Sequence, residues 1–231
     1  MTPTTNARVA GFTFLAYIAA GLTSLVISGR ATSGAGMAEK LATIAQHTTD
    51  VGAIVLLGLI QCFAALVLGV TLYAITREQD RDLAMLGLIC RVGEGLIGSL
   101  SIRGMLALLW LATASGINAP DAAAAHALAA YLLRGDMAFT ATFFAAGSTL
   151  FSYLLLQGRM IPAPLAWLGV VASVLLLVCL PLQLAGFLGG PITSFIWLPM
   201  LAFEVPLGLW LLFKGVAMPA GAPSTVRGKE A

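Results

Sequence analysis

Six ionisable residues stand inside stretches that are otherwise apolar: Arg91, Glu94, Arg103, Arg134, Asp136 and Glu204. Charge within a membrane-spanning helix is costly, and by default it marks an ion, proton or ligand site. Arg91 and Glu94 are three residues apart, so on a helix they share one face. If Glu204 lies at the same depth, two carboxyls meet one guanidinium, and one negative charge is in excess. One carboxyl then holds a proton, or a ligand cation or further donors complete the set. On this reading Glu204 is the titrating or cation-binding group, Glu94 its partner, and Arg91 the counter-charge to both. The same three residues also suit a structural staple between two helices. Buried ion pairs are weak indicators of stability, yet removing one partner costs about 3–5 kcal/mol. Catalysis would need, in addition, a water-filled cleft reaching the carboxylates.

Residue types exclude several familiar chemistries. Retinal attachment needs a lysine in mid-membrane, and the lysines are Lys40, Lys214 and Lys229. The histidines, His47 and His126, fall in or near segments outside the membrane. No bis-histidine haem, histidine-rich metal site or Ser–His dyad can therefore form within the bilayer. Intramembrane aspartyl proteolysis needs two aspartates, and only Asp136 is available. Neither a Walker A loop nor a GxGxxG motif occurs. Cys62, Cys90 and Cys179 fall in different apolar stretches without CxxC spacing. That argues against a disulfide framework and a zinc site, and they read as small buried hydrophobes. No metal and no cofactor is expected.

The elements that carry these residues must be long helices. Of 231 residues, 59% are hydrophobic and 10% charged, and the mean hydropathy is +0.97. Soluble domains carry roughly 25% charged residues. So little charge cannot cover a water-facing surface, and the expected partner is the lipid bilayer. A net charge of +2, spread along the chain, gives no footprint for nucleic acid. A helix crosses about 30 Å of hydrocarbon with about 20 apolar residues. Six such stretches occur, at about 9–29, 51–75, 83–112, 121–156, 163–188 and 191–213. The expected fold class is all-α, a polytopic bundle of six transmembrane helices over residues 1–215. Residues 216–231, rich in Pro, Gly and Ala, are expected to be a disordered cytoplasmic tail. No repeat or domain boundary is evident. The first stretch exceeds the roughly 7–15 residues of a signal-peptide core, so a retained helix is expected. Thr49 and Asp50 are expected N-caps of the second helix. Pro120–Asp121 opens the fourth, Pro162 and Pro164 the fifth, and Gly189–Gly190–Pro191 turns into the sixth.

Loop charge sets the expected orientation. Arg8, Arg77, Arg81, Arg159, Lys214, Arg227 and Lys229 fall on one side, and only Arg30 and Lys40 on the other. Positive residues stay cytoplasmic, so both termini are expected inside. At about 1.5 Å per residue, Arg91, Glu94 and Glu204 lie roughly 12–16 Å from the cytoplasmic edge, near the midplane. Arg103, Arg134 and Asp136 lie about 30 Å from that edge, in an outer, wetter layer. The third and fourth helices then continue outward as a hairpin turning at 115–120. A third span running from about 92 to 112 would instead put Arg103 at the midplane, but it leaves apolar residues 83–90 in water. Met37, Leu41, Ile44 and Thr48 recur at helical spacing in the outer loop. They suggest a short interfacial helix, either a plain amphipathic cap or a lid.

Two further patterns suggest close packing around a cavity. Gly93, Gly95, Gly98 and Ser99 form a small-residue strip on the third helix. Pro199 and Pro206 flank Glu204, and Pro206 frees the Ala202 carbonyl beside the carboxyl. Broken helices of this kind build midplane sites in many transporters, although kinked helices are also common in ordinary bundles.

Arg91-x-x-Glu94, Gly158…Ile161–Pro162, and Phe203–Glu204…Gly208-x-Trp210–Leu211…Lys214–Gly215 together resemble the domain-of-unknown-function family 4386. The resemblance runs from Arg8–Val9–Ala10–Gly11 to Gly215, and the run around Glu204 is its most specific part. It implies a six-helix bacterial inner-membrane protein of unassigned biochemistry, and it supplies no substrate. The functional expectation is binding or translocation of a small-molecule ligand or proton at the Arg91–Glu94–Glu204 layer. The rival is a structural subunit that packs against a partner membrane subunit, with its charges as internal staples.

Overall fold

Within lipid no water satisfies the backbone, so a spanning segment must close its hydrogen bonds on itself. The computed structural model describes residues 2–117, 119–134 and 137–217, and it meets this demand with helices alone among them. They are α1 (Pro3–Ala31), α2 (Met37–Gln46), α3 (Thr48–Thr76), α4 (Arg81–Thr113), α5 (Ala122–Arg134), α6 (Met137–Gln157), α7 (Ala163–Leu184), α8 (Ile192–Phe195) and α9 (Leu198–Phe213). Six stretches are long and apolar enough to cross a membrane: α1, α3, α4, α5 with α6, α7, and α8 with α9. The expected all-α, six-span architecture is the one adopted, and the chain is a multi-pass membrane protein by length and composition.

Local chemistry sets the helix boundaries, and several differ from expectation. α3 begins at Thr48 behind His47, so Asp50 sits in its first turn and neither Thr49 nor Asp50 is the N-cap. An acid there still complements the helix dipole. Asp80 caps α4 by accepting from the amides of Asp82 and Leu83, which starts that helix earlier than the apolar run does. Asp121 accepts from the Ala124 amide at the start of α5, as the Pro120–Asp121 pair suggested. The expected 121–156 span is built of α5 and α6, and residues 135–136 between them, Asp136 included, lie outside the described residues.

α7 stops at Leu184 rather than 188, because Gly186 turns left-handed (φ +81°). Its amide reaches the Gln183 carbonyl and that of Phe187 reaches Leu182, a Schellman closure. The sixth stretch is divided into α8 and α9. Pro199 therefore falls in the first turn of α9, where its missing N–H costs nothing, and Pro206 alone lies inside the helix. Of the expected disordered tail, residues 218–231 lie outside the described residues.

Each long helix packs mainly against two others, in the closed order α1, α3, α4, α6, α7, α9 and back to α1, and α3 also touches α6 across the ring. The main core gathers Phe14, Leu68, Phe144, Leu176 and Leu207 from five of them. At the end remote from the N-terminus, α2 lies across α4 and α5. Leu41 and Ile44 of α2 join Leu108, Leu111 and Ala129 in a second core, so α2 is an amphipathic cap packed on the helical hairpin. Thr48 belongs to α3 instead.

Candidate functional site

α4 places Arg91 and Glu94 on one face, and Nη1 of Arg91 donates to Glu94 Oε2 at 2.9 Å. Nη2 donates to the Ser148 hydroxyl on α6, also at 2.9 Å. From α1, the Tyr17 hydroxyl donates to the other Glu94 oxygen, Oε1, at 2.7 Å. The guanidinium carbon stands 4.8 Å from the Phe144 ring centroid and 5.9 Å from that of Phe14. Cation–π contact of this kind is strongest where the cation is desolvated. Arg91 is 1% exposed and Glu94 3%. The result is one polar chain, Tyr17–Glu94–Arg91–Ser148, joining α1, α4 and α6.

Glu204 of α9 comes to this chain without joining its hydrogen bonds. It is 6% exposed, and its Oε1 lies 3.9 Å from Arg91 Nη2. That is close enough for charge attraction and too far for a hydrogen bond. Oε1 of Glu204 and Nε of Arg91 are the buried side-chain polar atoms without a hydrogen-bond partner among the described residues. An orphaned buried acceptor carries its full desolvation penalty, about 1–3 kcal/mol and more for a charged group.

The three residues face two different spaces. Glu94 and Glu204 line a cavity of about 690 Å³, whereas Arg91 lines a void of about 10 Å³ on the other side of the layer. The large cavity draws on Tyr17–Leu25 of α1, Ile54–Ala65 of α3, Glu94–Met105 of α4, Met137–Phe144 of α6 and Thr193–Glu204 around α9. All these segments lie in the half of the bundle remote from the start of α1 and the end of α9, and α7 contributes none of the described lining. The carboxylates form the floor. Exposed Leu25, Met137 and Ser194 stand along the edge.

The expected midplane trio is thus brought together on α4 and α9. The expected outer layer behaves differently: Arg103 and Arg134 are both exposed and neither reaches the trio, while Asp136 lies outside the described residues. The small-residue strip divides its work. A Cβ on Gly95 would stand 2.9 Å from the Cys62 carbonyl oxygen of α3, and one on Gly93 would stand 2.8 Å from the Phe143 ring of α6. Tyr17 and Ser148 are the members that sequence reasoning missed. A tyrosine in the middle of a charge-free span was the available signal, since its hydroxyl must find a partner. Among the described residues no group of three or more His, Cys, Asp or Glu could hold a metal ion.

No curated protein and no solved structure matches the chain. A family described as a domain of unknown function (DUF4386) matches residues 9–215, from the first turns of α1 to Gly215 beyond α9. The chain belongs to that family.

Proposed function

We propose that the protein binds a small ligand or a proton at Glu204 within the membrane, and that it works as a binding or translocation protein rather than an enzyme. The observation that carries this reading is a buried carboxylate oxygen without a partner, on a residue lining a cavity of about 690 Å³. Ligand pockets typically measure about 300–1,000 Å³ and set a few polar groups among apolar walls. Glu204 is the ligand-facing group; Glu94 and Arg91, tied to Tyr17 and Ser148, hold the floor rigid around it. The distribution of loop charge supports cytoplasmic termini and a cavity on the outer side, and the family resemblance supports the bacterial inner membrane as the setting.

The polar chain Tyr17–Glu94–Arg91–Ser148 favours a second reading, in which every charge is a staple and the protein is an accessory subunit. Thermal unfolding in nanodiscs across pH, comparing wild type with Glu204→Gln, separates the two. We expect Glu204→Gln to be as stable as wild type or more so, because it replaces a poorly satisfied charge with a neutral amide. A loss at neutral pH near the 3–5 kcal/mol typical of a broken buried pair would make Glu204 a structural partner of Arg91.

A further inference from the structure

The cavity's own chemistry narrows what could occupy it. Among the described residues its ionisable lining residues are Tyr17, Cys62, Glu94 and Glu204, with no basic side chain. Arg91 sits behind the carboxylates, facing the small void. An approaching molecule therefore meets two acids with their single counter-charge on the far side, and an anion is repelled. With both carboxylates ionised the cluster carries a formal charge of −1, so one positive charge completes it and two would overshoot.

A bare metal ion is poorly served. Hard cations such as Ca²⁺ take 6–8 oxygen ligands, and the walls above the floor are built of residues such as Ile18, Leu22, Ile54, Ile102 and Leu201. Burying apolar surface there is favourable. Trp197, tilted against Phe144 at 6.1 Å, adds an aromatic wall beside the carboxylates. The Glu204 carboxylate lacks a hydrogen-bond donor at Oε1, and its terminal torsion is soft enough to turn either oxygen toward a ligand. A quaternary ammonium has no N–H to offer; a protonated amine does.

We propose that the occupant is a lipophilic monocation bearing a protonated amine, with its N–H on the Glu204 carboxylate and its apolar body between Trp197 and the aliphatic walls. This rests on Glu204 being the ligand-facing group.

The test uses the full chain in nanodiscs with Trp110, Trp167 and Trp210 replaced by phenylalanine, which leaves Trp197 as the reporter. Three ring systems of similar size are titrated: 9-aminoacridine as the cation, 9-methylanthracene as the neutral form and 9-anthracenecarboxylate as the anion. Saturable quenching of Trp197 is expected for 9-aminoacridine alone, weakened at least about tenfold by Glu204→Gln, as loss of a charge-assisted hydrogen bond implies. Saturable binding of the neutral or anionic probe as tight as the cation's overturns the cation assignment and leaves a cavity ligand standing. Binding of the cation alone that is indifferent to Glu204→Gln overturns the contact with the Glu204 carboxylate, and with it the reading of Glu204 as the ligand-facing group. If no probe binds and Glu204→Gln melts like wild type, the cation assignment fails and Glu204 remains a proton site. If no probe binds and Glu204→Gln loses its fold at neutral pH, the reading of Glu204 as ligand-facing fails as well.

Discussion

Glu94 has both carboxylate oxygens committed, one to Tyr17 and one to Arg91, whereas Glu204 has neither tie. That asymmetry assigns different consequences to substitutions only a few ångströms apart. Tyr17→Phe removes a donor from a buried carboxylate and is expected to cost about 1.5–3 kcal/mol, read from reversible unfolding in mixed micelles. A loss below about half a kcal/mol would mean that the Tyr17 contact is incidental. Arg91→Met strands Glu94 and Glu204 without a counter-charge and is expected to cost about 3–5 kcal/mol. Arg91→Met with Glu94→Leu should cost less than Arg91→Met alone, because the second change removes one of the stranded charges; a greater loss in the pair overturns this account. Arg91, Glu94 and Glu204 were legible in the sequence because charge stands out against an apolar background. Ser148 was not, because most hydroxyls in these helices are satisfied locally. Thr13, Thr71, Thr142, Thr149 and Ser173 each donate to the carbonyl four residues back. Nothing in the residue type separates Ser148, which takes Arg91, from those that close on their own helix.

Helix pairs in this protein approach at glycines, and the approach of α1 to α9 is the tightest test of that statement. A Cβ on Gly11 would press into the Leu212 amide and stand 2.6 Å from the Gly208 carbonyl oxygen. Both are backbone atoms of α9, so the helix itself must move. Gly11→Ala is therefore expected to destabilise by about 1–3 kcal/mol, the usual cost of overpacking. Gly52, in the second turn of α3, has nothing within 4 Å of its would-be Cβ. Gly52→Ala should be neutral or stabilising by up to about 1 kcal/mol, since it removes only glycine's backbone freedom. Equal effects for the two variants in parallel melts would sink the close-packing account. The existence of the six helices was legible from length and hydropathy. Their ends were less so, because the chain past Leu184 stays apolar and only the left-handed Gly186 stops α7. The division between α8 and α9 was hidden for the same reason.

The order of helices around the ring was not legible at all, and the cause is the solvent. Lipid is as apolar as a protein core, so outward-facing and inward-facing residues share one vocabulary and leave no amphipathic stripe to read. Phe12, Leu56, Val70 and Trp167 are all well exposed in helices whose buried faces are equally apolar. What the ring produces is an asymmetric bundle, with a wide cavity in the half remote from the start of α1 and the end of α9 and close packing below the charged layer. Combined with the loop charges, this asymmetry makes a directional prediction. Cys62 lines the cavity, while Cys90 and Cys179 do not. With Cys90→Ser and Cys179→Ser in place, a charged, membrane-impermeant methanethiosulfonate reagent should modify Cys62 when added on the side opposite the termini. The same reagent added on the terminal side should not, because Arg91, Phe144 and Glu94 stand between. Bulk at the edge, as in Leu25→Trp, should slow the reaction without changing its sidedness. Modification from the terminal side alone would reverse either the orientation or the direction in which the cavity opens, and tagging the N-terminus in the same vesicles tells which.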